Sequence, residues 1–430
     1  MSTKGVMKWE PENPEFWEST GKRVANRNLW ISIPALLLAF SIWSIWSVVA
    51  VNLNKVGFQF TPDELFSLAA LPGLSGATLR ILYAFVVPIF GGRNWTVCST
   101  ASLLIPAIWI GFAVQDPATS YETMALLAIL CGFGGGNFAS SMANISFFFP
   151  QAKKGSALGL NAGLGNLGVS VAQFLIPIVI GISVFGNFGG GPQTNGTTQL
   201  WLQNAGFIWV IPIILTTIAA MFGMNNLPMT QSIKDQLIIF KRKHMWICSF
   251  LYTMSFGSFI GFATAFPLLT QHQFPDVNPL QYAFIGPLLG ALVRPVGGML
   301  ADKLGGARVT LYNVILLIAA TAGVIYFMNS KAFWAFFACF IVIFFTTGIC
   351  NGSVTRMMPT IFPPKEAAPV IGFTSAIAAY GQFFIPKSFS MSIKSTGAPD
   401  IALYGFLVFY AVALVLLWYF YARKNAEVKC

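Results

Sequence analysis

Acidic side chains are scarce in this chain of 430 residues: Asp and Glu number 14 against 25 Lys and Arg, for a formal net charge of +11. Every carboxylate falls in a polar stretch or at the end of an apolar one. No acid is therefore expected within the apolar interior to neutralise a cation or carry a proton there. Histidine is scarcer still, with His244 and His272 near the two ends of one apolar stretch. The six cysteines (Cys98, Cys131, Cys248, Cys339, Cys350, Cys430) have no paired spacing. No disulfide framework, metal cluster or other cofactor is implied. Charged residues as a whole make up 9% of the chain, where a globular protein carries about a quarter. A water-facing surface cannot be built from so few.

What the chain has instead is apolar mass, 56% of residues, with aromatics at 15%. Twelve apolar stretches recur, at 29–53, 65–90, 96–115, 121–149, 157–186, 204–224, 244–270, 280–302, 309–328, 332–358, 370–391 and 400–422. Each is long enough to cross a hydrocarbon core of roughly 30 Å as a helix. The expected fold class is an all-α membrane protein of twelve transmembrane helices, with the lipid bilayer as its partner. The polar segment 1–28 lacks a cleavage pattern and precedes a first span too long for a signal-peptide core, so it reads as an uncleaved tail.

The basic residues sit in alternate short loops rather than on one soluble segment, which argues against a nucleic-acid partner. Lys22, Arg23, Arg27, Arg93, Lys153, Lys154, the cluster Lys234 to Lys243, Lys303, Arg308, Lys365, Arg423 and Lys424 fall in one set of loops, and only Lys55, Lys331 and Lys394 in the other. The positive-inside rule then puts both termini in the cytoplasm.

The sequence also repeats at half its length. A shift of 214 residues lays "LPGLSGATLRILYAFVVPIFGGRNWT" (Leu71–Thr96) on "IGPLLGALVRPVGGMLADKLGGARVT" (Ile285–Thr310), so that Arg80 meets Arg294, Gly76 meets Gly290, and Gly91 and Gly92 meet Gly305 and Gly306. Two pseudo-symmetric six-helix halves, 29–224 and 244–422, are expected. A cytoplasmic linker at 225–243 would join them, and a tail at 423–430 would end the chain. Parallel repeats of this kind place a site at the midplane between halves.

Arg80 lies sixteen residues beyond Glu64 and thirteen before Arg93, roughly 20 Å from either boundary of a helix rising 1.5 Å per residue. An arginine at that depth faces a partner or a cavity. The sequence offers no acid, so two arginines call for an anion from outside. Planar forks of donors suit a small planar oxyanion. A phosphate dianion satisfies the same charge.

Small residues recur in "GLNAGLGNLGVS" (Gly159–Ser170) and in "GFTSAIAAYGQF" (Gly372–Phe383), with Gly159, Gly163, Gly165 and Gly168 set against Gly372, Ala376, Ala378 and Gly381. Such runs let helices approach closely; they also permit sliding. Asn166 is either interhelical glue or a donor to the anion. Phe138 and Phe256, two of 41 phenylalanines, fit simple packing. Tyr252 lies deeper than an aromatic belt, and its hydroxyl needs a partner. Asp302, Lys303 and Arg308 form either a solvated loop or a cytoplasmic gate. Arg356 and Lys387, near span ends, are expected to snorkel.

These residues also carry a resemblance. "WEPENPEFWESTGKRVANRNLWISIP", "GGGNFASSMANISFFFP", "ALGLNAGLGNLGVS", "FGSFIGF" and "GGARVT" are similar to the nitrate/nitrite porters of the major facilitator superfamily, of the bacterial exchanger type, over essentially the whole chain. The resemblance implies that Arg80 and Arg294 hold nitrate or nitrite, that Phe138 and Phe256 sandwich it, and that Tyr252 and Asn166 complete the contacts. It implies the bacterial cytoplasmic membrane, and a monomer that functions alone. Ala378 and Gln382 depart from the family's second glycine run.

Exchange of nitrate for nitrite by alternating access is the expected activity. At about 8 Å and an effective dielectric near 20, two guanidiniums repel by about 2 kcal/mol, so closing around an empty site is unfavourable and an anion relieves the cost. Proton-coupled nitrate symport is the alternative, disfavoured by the missing midplane carboxylate. A non-transporting anion sensor would want an output domain, and an enzyme a general acid or base beside the site.

Overall fold

The structure is a computed structural model that describes residues 9–195, 198–227 and 237–430. Among them are eleven helices long and apolar enough to cross a membrane. These supply spans one to ten, Pro14–Val56, Pro62–Tyr83, Gly92–Ala113, Tyr121–Phe148, Gln151–Val179, Asn204–Gly223, Lys243–Gln273, Pro279–Leu304, Gly306–Asn329 and Phe333–Ile361, and the twelfth, Asp400–Ala422. The eleventh is a broken pair, Pro364–Ala379 and Gly381–Thr396, parted at Tyr380.

Local chemistry sets several ends. Thr61 and Glu64 form a reciprocal capping box ahead of Pro62, satisfying two of the helix's free N–H groups. Proline sets several interruptions. The second apolar stretch breaks at Ala84–Phe85, between Pro62–Tyr83 and the short helix Val86–Phe90, and the third and sixth spans break at Ser102–Leu103 and Ile208–Trp209. Each break begins four residues ahead of Pro88, Pro106 or Pro212, where the ring clashes with a carbonyl and removes its hydrogen bond.

Three boundaries differ from the sequence reading. Residues 14–28, expected as tail, are helical and continuous with the first span. They dock through Trp17, which is buried and lies 5.8 Å from the Phe149 ring. The fifth span begins at Gln151 and ends at Val179; a short antiparallel hairpin pairs Gln193–Asn195 with Thr198–Leu200 within the expected loop. Of the expected linker, residues 228–236 lie outside the described residues, as do residues 1–8 of the expected tail. Its first residues belong to the first half: Asn225 accepts from Arg27 Nη2 at 2.7 Å, and Asn226 from the Arg93 N–H at 2.9 Å.

The duplication is visible in the backbone. Gly91 and Gly305, matched by the 214-residue shift, both take positive φ, at +81° and +90°, a conformation that favours glycine. In each half the second helix packs along the fourth: the second span on the fourth, the eighth on the tenth.

Both described chain ends lie on one face. Trp9 donates to the Phe147 carbonyl, and the Ala307 N–H donates to the Cys430 carbonyl at 3.1 Å. Among the described residues, every hydrogen bond between the halves lies at the level of Arg80 or toward the opposite face. Toward the termini, a Cβ built on Gly159, Gly163 or Gly372 would meet nothing within 4 Å. The halves are thus joined by hydrogen bonds toward the opposite face and parted beside these glycines, while nearer the termini a Cβ on Gly155 would lie 3.7 Å from Arg356 Nη1 of the second half.

Candidate anion site

Arg80, from the second span, is wholly buried. Its Nε donates to the Gly135 carbonyl of the fourth span at 2.9 Å, and its Nη1 to the Ser375 carbonyl of the eleventh at 3.2 Å. One guanidinium therefore bonds to both halves. Its Nη2 is buried and has no hydrogen-bond partner among the described residues. Three rings surround it, with Cζ 5.0 Å from the centroid of Trp43, 4.8 Å from Phe138 and 5.6 Å from Phe256. Each such contact is worth about 2 kcal/mol when desolvated.

Arg294 is half-buried on the eighth span. Its Nη2 donates to the Tyr252 hydroxyl at 3.1 Å, and its Nη1 is buried without a partner among the described residues. The Tyr252 hydroxyl thus has the partner its depth demands. Its ring stacks on Phe256 at 5.7 Å and 14°, and Phe256 stacks on Phe138 at 6.5 Å and 24°. Arg294, Tyr252, Phe256, Phe138 and Arg80 form a continuous chain of contacts across the two halves. The partners of both arginines are two backbone carbonyls and a phenol, all neutral. Two buried donors remain free for an anion's oxygens, beside rings that restrict its shape. A flat guest touching both faces needs about 3.5 Å on each side, roughly 7 Å in all; Phe138 and Phe256 stand 6.5 Å apart, so the rings must part slightly for one planar oxyanion to lie between them.

A π-helical turn, Thr253–Gly257, carries Phe256. Gly257 within it touches the eleventh span, where a Cβ would come within 2.9 Å of the Ala378 carbonyl. π turns recur at functional sites, and no feature of "TMSFG" marks this one in the sequence.

The remaining candidates are placed differently. Asn166 is buried with its Oδ1 unpartnered, and it hydrogen-bonds neither arginine. The first glycine run divides: Gly165 and Gly168 abut Leu36 and the Leu37 carbonyl, whereas Gly159 and Gly163 border open space. In the second run Gly381 abuts Gly257, Ala376 and Ala378 are buried, and Gly372 is free. Asp302 pairs with Arg356 at 2.5 Å within the second half, and Arg356 keeps its charged head exposed near its span end as expected. Lys303 and Arg308 are exposed, with no ion pair among the described residues. Lys387 departs from expectation, since it turns inward to Ser67 and Asp63.

Trp43 escaped the sequence reading. It has no signal among 12 tryptophans, yet its Nε1 donates to the Pro72 carbonyl at 2.7 Å, which fixes the ring against Arg80. Gln382, noted only as a departure, donates from Nε2 to the Trp43 carbonyl at 3.1 Å across the halves.

Comparison with known proteins gives a consistent picture. The profile of the Major Facilitator Superfamily matches residues 31–386. The nitrate/nitrite transporter NarU of Escherichia coli (strain K12) is 50% identical over 98% of this chain and 97% of its own length. The probable nitrate/nitrite antiporter NarK2 of Thermus thermophilus is 43% identical over 100% and 99%. Among solved structures, a D-xylose–proton symporter superposes with a TM-score of 0.70 at 14% identity, covering 92% of this chain and 97% of that one. A bacterial homologue of the human lysosomal transporter Spinster, in an inward-facing and occupied conformation, gives 0.68 at 14% identity over 91% and 95%. These last two likenesses concern the fold alone.

Proposed function

Because the chain belongs to the nitrate/nitrite porters of the major facilitator superfamily, we propose that it exchanges nitrate for nitrite across a bacterial cytoplasmic membrane, with Arg80 and Arg294 binding the anion. The observation that carries the reading is the pair of buried guanidinium nitrogens, Arg80 Nη2 and Arg294 Nη1, left without partners among the described residues. An unpaired buried donor on a charged group is costly, and an oxyanion that accepts from both removes the cost in each half at once. Phe138 and Phe256 favour a flat anion, and the Tyr252 hydroxyl orients Arg294.

Both termini face the cytoplasm in this reading, so the structure is the state open inward. The halves, linked in sequence by 225–243, rock about the arginines. Anion binding offsets the repulsion between the guanidiniums, so the loaded carrier closes and reorients more readily than the empty one, which couples influx of one anion to efflux of the other. A single chain contains the whole site.

Tracer counterflow in proteoliposomes tests this. Labelled nitrate should accumulate against internal nitrite or nitrate and should not accumulate in liposomes lacking both. Uptake driven by a pH gradient with no internal anion would favour proton symport instead.

A further inference from the structure

We propose that the groove around Lys55, on the face opposite the termini, is a second anion site that collects nitrate or nitrite before it reaches the arginines; this rests on the exchange reading above. The groove has a volume of about 470 Å³ and is lined by both halves: Asn52 and Lys55 from the first span, Phe174 from the fifth, and Asn278, Gln281 and Phe284 from the second half. Its lining has one cation, three amide side chains and no carboxylate. Lys55 is half-buried, and its Nζ has only a marginal contact with Asn52 Oδ1 at 3.5 Å. A lysine on such a wall would ordinarily be paired or fully hydrated. Here its unneutralised charge lies in a concave, low-dielectric wall, which raises the local concentration of small anions.

A polar ladder descends from this groove toward the arginines. Asn166, Ser170 and Gln173 follow one another at i, i+4 and i+7 along one face of the fifth span, and all three are at least nine-tenths buried. Among the described residues the Ser170 hydroxyl has no partner and can donate to an anion, whereas the unpartnered Asn166 Oδ1 and Gln173 Oε1 are acceptors, which leaves anion contact to the amide N–H groups of those two residues. Next to Gln173, Phe174 lines the groove and stacks edge-on against Phe284 at 5.0 Å. Gln173 Nε2 also donates to the Ala263 carbonyl at 2.7 Å and to Ser47 Oγ at 3.1 Å. The bond to Ala263 crosses the halves and closes the ladder in this state. When the halves part on this side, that amide donor is released beside the Ser170 hydroxyl, and the two together can pass an anion inward.

Two measurements on the full chain test the site independently of each other. The first is acylation of Lys55 by a membrane-impermeant amine reagent, read peptide by peptide. About 100 mM nitrate, against equal gluconate, should slow it about threefold or more, as occupancy near two-thirds requires. The protection should persist in Arg80→Gln and be absent at Lys331. Equal rates in nitrate and gluconate overturn the site whether or not the protein exchanges anions. The second compares half-saturation for nitrate from the two faces in oriented vesicles. Lys55→Gln should raise the ratio (opposite face over terminal face) about 3- to 10-fold at low salt, an effect that shrinks between about 10 and 150 mM salt and is restored by Lys55→Arg. An unchanged ratio in a variant that still exchanges overturns the proposal and leaves the exchange reading standing.

Discussion

Lys387 of the eleventh span reaches across the halves to Asp63 of the second, its ammonium 3.4 Å from Asp63 Oδ1 and 2.8 Å from the Ser67 hydroxyl. Ser390 donates to the same carboxylate, and Lys394 stands 3.9 Å from its other oxygen. Asp63 and Lys387 are each about one-third exposed, at 32% and 33%, so solvent screens them and the pair is worth about 1 kcal/mol rather than the several of a dry pair. Its place matters more than its strength, because it bridges the halves where they are closed. Asp63→Asn should therefore shift the equilibrium about fivefold toward the state open on that face. Spin labels at Gln59 and Asp276, exposed and on opposite halves, should report the longer distance more often. An unchanged distribution would make the pair incidental to closure.

Charge alone does not account for the two arginines. Arg80 uses Nε and Nη1 to hold carbonyls of both halves while Nη2 stays free; a lysine has one nitrogen to do all three tasks. Losing two hydrogen bonds made by a charged group, at roughly 1.5–3 kcal/mol each, lowers transport efficiency about 100-fold or more. Arg80→Lys should show this in counterflow, and Arg294→Lys, which loses the single bond to Tyr252, a fall of about 10-fold or more, both with normal amounts of protein in the membrane. Near-normal exchange by both would mean that the forked geometry is not what binds.

Tyr252 offers a finer test. Its hydroxyl is the only side-chain partner of Arg294 among the described residues, and its ring is one face of the stack that ends at Phe138. Tyr252→Phe keeps the stack and frees the guanidinium. Half-saturation for nitrate should rise about tenfold, equivalent to about 1.4 kcal/mol, while the maximal rate falls less. A drop in maximal rate at unchanged half-saturation would assign the hydroxyl to reorientation instead.

The repeat made Arg80 and Arg294 legible as a pair, because deep arginines at matched positions are rare enough to register without any structure. Apolar length locates the twelve spans but not the interruptions ahead of Pro88, Pro106 and Pro212 or at Tyr380, because length registers the whole apolar run and not a break in the backbone hydrogen bonds within it. Phe138, Phe256 and Tyr252 were legible only by resemblance, since one phenylalanine among 41 has no local mark. Trp43 and Lys387 stayed hidden for a different reason. Their roles depend on partners far off in the chain, Arg80 for one and Asp63 for the other, and neither contact leaves a trace in local spacing.

The small-residue runs were read as one feature, and the structure separates them into two with opposite predicted phenotypes. A Cβ on Gly168 would lie 2.1 Å from the Leu37 carbonyl oxygen, and one on Gly381 within 2.5 Å of the Gly257 backbone. Backbone cannot yield as a side-chain tip does, so Gly168→Ala and Gly381→Ala should each destabilise the fold by about 1–3 kcal/mol, lowering the melting temperature in detergent. Gly159, Gly163 and Gly372 have nothing within 4 Å of the position a Cβ would take, so alanine there leaves this state unstrained. If the halves close toward the termini during transport, these are the positions where helices next come together, and the added methyls obstruct closure rather than folding. Gly159→Ala and Gly163→Ala should then melt like the parent chain yet exchange nitrate several-fold more slowly, about 1 kcal/mol in the closing step. The pairing of the two measurements decides the point: slow exchange with a lowered melting temperature would mean that these glycines serve packing alone.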